Sequence, residues 1–179
     1  MIEIIPNWHP IFVHFTVALF STSVGLYTLA YLFNNVRIFP KVSLDMEVTA
    51  RWCLWLVGII VIGTVLAGLY AYNTVKHDGA SHLAMTNHRN WALPTAATIV
   101  LTALWSLWRT YKQKSITITF IAVLFIVQGL LLSTAWRGAE LVYRYGLGVM
   151  SLPKAEDVGH EHHESTMEPN HDHNSDDHH

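Results

Sequence analysis

Imidazole is the dominant reactive group in this chain of 179 residues. His9, His14, His77, His82 and His88 fall within the first 150 residues, and His160, His162, His163, His171, His173, His178 and His179 within the last 20. Neutral imidazole is the commonest protein ligand for metals and a frequent axial ligand for haem iron. If the stretch from His82 to His88 is helical, His82, Met85 and His88 lie within about 120° of arc on one face. His9 and His14 are about 140° apart on a helix, so helix geometry alone does not bring both to one ion. His9 precedes Pro10, however, and is not held to that geometry. Asp78, beside His77, and Glu140 add carboxylate oxygens to the set.

Each of these residues also has a plainer reading. His14 sits about one turn inside an apolar run, where an ionisable group marks function by default. It is equally served by a bond to a neighbouring helix or a backbone carbonyl. For His9, His77 and His82 the plain alternative is an interfacial polar residue, and His88-Arg89-Asn90 also reads as a solvated helix start.

Topology is what joins them. Residues 11–33, 52–73, 91–108 and 116–136 contain no Asp, Glu, Lys or Arg and run for 23, 22, 18 and 21 residues. A bilayer core takes about 20 helical residues, and lipid leaves helices as the only reading for runs too long to be barrel strands. Trp8, Trp52, Trp91, Trp108 and Trp136 stand at span ends, as an interfacial aromatic belt does. Pro10 suits the first position of a helix. Residues 1–10 hold no Lys or Arg, so the first span does not read as a cleaved signal peptide. Gly63, Ala67 and Ala71 form a small-residue stripe that allows close helix approach, and Pro94 is tolerable near a helix start but kinks one if deeper.

The chain is therefore expected to be an all-α integral membrane protein. Its body, residues 1–150, forms a four-helix up-and-down bundle, and a disordered acidic tail covers 151–179. In such a bundle His9, His14, His77, His82, His88 and Glu140 all gather at one membrane face. Loops on the other face carry six Lys and Arg against five on the histidine side, counting Lys154. That balance puts both termini outside, in a bacterium on the periplasmic side of the inner membrane.

Composition closes several routes. The body balances ten basic against five acidic residues and the tail one against eight, so no basic surface for nucleic acid exists. A single cysteine, Cys53, permits neither an intrachain disulfide nor a Cys-built zinc or iron–sulfur centre. No Gly-x-Ser-x-Gly or His-Glu-x-x-His motif occurs in the body, so no hydrolase is indicated and the question of enzymatic activity stays open.

Three blocks add a resemblance. His9-Pro-Ile-Phe-Val-His14-Phe, the stretch from Asn73 to Trp91, and Gly138-Ala-Glu140-Leu-Val-Tyr143-Arg-Tyr-Gly146-Leu-Gly148-Val149 resemble the opening, central and closing motifs of the membrane family called domain of unknown function 2231. The likeness covers about residues 7–149. It implies four membrane helices and no established activity. Relatives joined to cytochrome c or Rieske-type domains further imply respiratory redox chemistry. Ala139 stands in place of a second glycine and Thr16 in place of a proline, both small departures.

Three functions are then in play. In the first, His14 and His88, with His82 in reserve, ligate a b-type haem, while Arg89 or Glu140 pairs with a propionate or steers a quinol or another respiratory partner. In the second, His9, His14, His77, Asp78, His82, His88 and Glu140 hold zinc or copper, supplied by the tail histidines through imidazole–carboxylate ligand sets. In the third, the chain is a structural subunit whose histidines only join helices. The tail itself reads either as a loose metal binder or as a solubilising acidic extension.

Overall fold

The computed structural model describes residues 8–37, 39–75 and 79–149. Within them the chain forms four helices, α1 (His9–Val36), α2 (Pro40–Thr74), α3 (Gly79–Tyr111) and α4 (Ile118–Tyr143), and no strand. All four are long and apolar enough to cross a bilayer. The protein is an all-α, four-helix membrane bundle. His77, Asp78 and the tail histidines lie outside the described residues.

Each helix continues past its charge-free run. α2 is the extreme case, because the connection expected over 34–51 is helical from Pro40 onward. Pro40 occupies the first turn, where its missing N–H is not needed, and the turn before it uses left-handed backbone at Arg37 and Phe39. Pro94 lies deep inside α3 rather than at its start, so the helix forgoes one backbone bond there. Thr117 caps α4 by accepting the Phe120 N–H at 3.3 Å.

Outward faces are apolar, with Ile59, Leu66, Leu101 and Ile126 all about two-thirds exposed, as a lipid-facing surface requires. Inward, Phe20, Leu54, Ile99, Phe120 and Leu124 are fully buried. Helices pack around a ring in chain order, α1 on α2, α2 on α3, α3 on α4 and α4 back on α1. Close approach is bought by small residues: a Cβ on Gly58 would stand 2.8 Å from that of Ala103. At the end away from the histidines, buried Arg109 closes the α3–α4 turn. It donates to Thr117 Oγ1 and the Ser115 carbonyl and stacks over Phe120.

The two helical hairpins, α1–α2 and α3–α4, repeat one pattern of burial and polar contacts. Shifting α1 by 79 residues onto α3 superposes its whole buried set: Thr16, Phe20, Ser23, Val24, Tyr27 and Ala30 become Thr95, Ile99, Thr102, Ala103, Ser106 and Arg109, all buried. A shift of 70 takes five of the buried residues of α2, Ala50, Leu54, Val57, Val61 and Thr64, to buried Phe120, Leu124, Val127, Leu131 and Thr134 of α4. The polar contacts repeat as well. Thr16 bonds Thr64 at 2.8 Å in the first hairpin, and Thr95 bonds Thr134 at 2.9 Å in the second. An approximate twofold axis thus runs along the bundle.

Candidate cofactor site

His9 and His88 occupy equivalent positions in the two hairpins and face each other, with ring centres 6.3 Å apart and planes at 73°. Each ring rests on a glycine of its own hairpin. A Cβ on Gly68 would lie 2.9 Å from His9 Cε1, and one on Gly138 would lie 3.2 Å from His88 Cε1. A side chain at Gly68 would take space the imidazole uses, and one at Gly138 would press on the His88 ring. His9 Nδ1 donates to the Thr64 carbonyl at 2.9 Å, which fixes the tautomer with the lone pair on Nε2. The equivalent carbonyl, that of Thr134, is the backbone acceptor beside His88. His88 Nδ1 is nonetheless buried without a hydrogen bond of good geometry, a cost that buried polar atoms seldom carry without a reason.

A cavity of about 590 Å³ adjoins the two rings and draws on all four helices, reaching Val61, Ile99 and Leu131 at its deep end. Its lining is mainly apolar, and its size is that of a cofactor or drug-sized ligand. Over it folds the segment after α4. Gly146 and Gly148 take positive φ values of 60° and 80°, and Leu147 N–H returns to the Leu141 carbonyl at 3.1 Å. Leu147 and Gly148 roof the cavity.

The other candidate residues sit around this centre in different ways. His14 lines the cavity but is exposed, and its Nδ1 donates to the Pro10 carbonyl of its own helix. Facing His88 is His9, not His14. Arg89 also lines the cavity, its guanidinium 4.8 Å over the Tyr72 ring. The stretch from His82 to His88 is helical, and His82 turns to the Tyr72 hydroxyl at 3.3 Å. Glu140 pairs with Arg144 at 2.9 Å, near the surface. Among the described residues no three of His, Cys, Asp and Glu come close enough together to hold an ion.

Sequence reasoning passed over Thr64, Gly68, Thr134 and Gly138, the residues that seat the two rings. Their signal was present as a repeat. His-x6-Thr occurs at His9–Thr16 and His88–Thr95, and Thr-x3-Gly at Thr64–Gly68 and Thr134–Gly138.

Fold and site together define a membrane-embedded four-helix bundle with paired histidines between duplicated hairpins. The chain belongs to the family described as predicted membrane protein, domain of unknown function 2231, whose model matches residues 6–151. No curated protein and no solved structure matches it.

Proposed function

We propose that the protein holds a b-type haem between its two hairpins and works as a single-electron carrier in the membrane. The observation that carries this reading is the pairing of His9 with His88 across the bundle axis beside an apolar cavity. Helical bundles build cofactor sites from side chains on facing helices. With each nitrogen about 2 Å from a shared ion and each ring centre roughly 1 Å behind its nitrogen, two facing imidazoles stand about 6 Å apart, close to the spacing found. Haem asks the protein for two axial ligands, whereas a structural zinc site asks for four, which favours haem where only two imidazoles meet. Axial ligation by two imidazoles and the apolar surroundings set the potential, and Arg89 at the cavity wall is placed to pair with a propionate.

The site faces the side of the membrane that holds both termini. Loop charge supports the outer, periplasmic side of a bacterial inner membrane. Tail histidines are a separate, weaker binder of zinc or copper.

A visible spectrum of the purified full chain, before and after dithionite, tests the assignment together with metal analysis of the same sample. A sharp Soret peak and a reduced α band are expected, both lost in His9→Ala and in His88→Ala and both kept in His160→Ala. A colourless preparation overturns haem. If that preparation carries one copper per chain that His9→Ala and His88→Ala lose and His160→Ala keeps, the two imidazoles hold Cu(I), which accepts two-coordinate geometry; if no metal depends on His9 and His88, the pair is structural.

A further inference from the structure

The twofold relation between the hairpins gives each residue a counterpart, and the departures from it are confined to particular places. Two seams separate the hairpins, α1 against α4 and α2 against α3. Three polar residues belong to the first: His14, Ser21 seven residues further along the same helix face, and Gln128, whose amide donates to Ser21 Oγ at 3.0 Å. Their counterparts at the second seam are Leu93, Val100 and Gly58. At these three depths the first seam is polar and its twin apolar, while the twin carries Tyr72, Thr86 and Arg89 nearer the aqueous end. Polar side chains inside a bilayer are costly and mark function by default.

Geometry says what reaches that seam. His14 lies about 7.5 Å deeper along α1 than His9, is exposed, and lines the cavity together with exposed Ala139 and Val142 of α4. The cavity therefore opens sideways there, toward lipid, as it also does past exposed Leu69 and Leu93 at the twin seam, but only the first opening presents an imidazole. The Nδ1 proton of His14 is committed to Pro10, so Nε2 carries the lone pair and accepts a hydrogen bond. Further along the same seam the buried amide oxygen of Gln128 has no donor. A ligand arriving through the bilayer is apolar in body, and a hydroxyl on it can donate to His14 Nε2.

We propose that the α1–α4 seam binds the head group of a lipid-soluble hydroquinone, whose hydroxyl donates to His14 Nε2. This names the membrane partner of the haem proposed above, and its purpose rests on that reading, although the binding itself needs no haem. The reduced ring, which has the donor, binds better than the oxidised quinone, which has only carbonyls. Arg89 and Tyr72 belong to the twin seam and take no part.

Titration calorimetry with decylubiquinol under argon, on the full chain in detergent, tests the seam. His14→Leu, which installs the residue found at the twin position, is expected to weaken binding at least tenfold, and His14→Gln, whose amide oxygen accepts, to restore part of it. Leu93→Val is expected to bind as the unaltered protein does. Equal affinity in His14→Leu, or no binding by the unaltered chain, overturns the proposal. A dithionite spectrum on each sample separates the two readings: a colourless chain that still binds the hydroquinone through His14 removes the haem while leaving the seam, and a chain that shows the haem bands but binds no hydroquinone keeps the haem and removes the seam.

Discussion

The hydroxyls of Tyr27 and Ser106 meet at 2.9 Å in the buried interior, one from each hairpin and at equivalent positions. They are the point at which the twofold axis is tied by a polar bond at the end remote from the histidines. Cross-helix hydrogen bonds in membrane proteins contribute about 0.6 kcal/mol on average. Tyr27→Phe is therefore expected to lower thermal stability in detergent by roughly that amount, with no change in ligand content. A loss of the visible spectrum in that variant would show that the remote end governs the site.

Gly68 and Gly138 offer a sharper test of the histidine seats. A methyl group at Gly68 meets the His9 ring at 2.9 Å, closer than real Cβ contacts come, and one at Gly138 meets His88 at 3.2 Å. Gly129 has nothing within 4 Å of the same added atom. Gly68→Ala is expected to abolish ligand binding and to cost about 1–3 kcal/mol of stability by overpacking, and Gly138→Ala to do so more weakly. Gly129→Ala should stabilise α4 slightly, since alanine outranks glycine in a helix. Equal behaviour of the three variants in bound-ligand analysis and thermal melts would deny the glycines their role.

Sidedness is accessible to labelling. Tyr143 and Tyr111 are 88% and 80% exposed at opposite ends of the bundle. With Cys53 replaced by alanine, Tyr143→Cys is expected to react with a membrane-impermeant maleimide applied to intact cells, and Tyr111→Cys only after permeabilisation. The reverse pattern would turn the site to the cytoplasm, and reaction of both from one side would break the up-and-down topology.

Apolar runs free of charge located all four helices, because lipid leaves runs of this length no other backbone arrangement. They understated the lengths. Lys41, Asp45, Glu47 and Arg51 begin α2 as ordinary helix formers, yet a charge-based limit ends the span at Trp52. The gathering of histidines at one face also followed from topology. Choosing between His9 and His14 did not, since the choice turns on which side of α1 faces α2. That side is set by the contacts of Phe12 with Gly63 and of Thr16 with Thr64, a tertiary fact. Repetition was legible only in scattered identities, among them His9 with His88, Thr16 with Thr95, Thr64 with Thr134, Gly68 with Gly138, Leu54 with Leu124 and Val57 with Val127, because elsewhere the hairpins share burial far more than residue identity.

Duplication carries a cost for any flat, asymmetric guest seated between the hairpins. Walls related by the twofold offer the same histidine, threonine and glycine seats to its upper and lower surfaces, so two flipped orientations compete. Preference for one comes from the unmatched side chains, among them Arg89 against Pro10, Tyr72 against Val142 and His14 against Leu93. Making such pairs alike would move the guest toward a mixture of both poses.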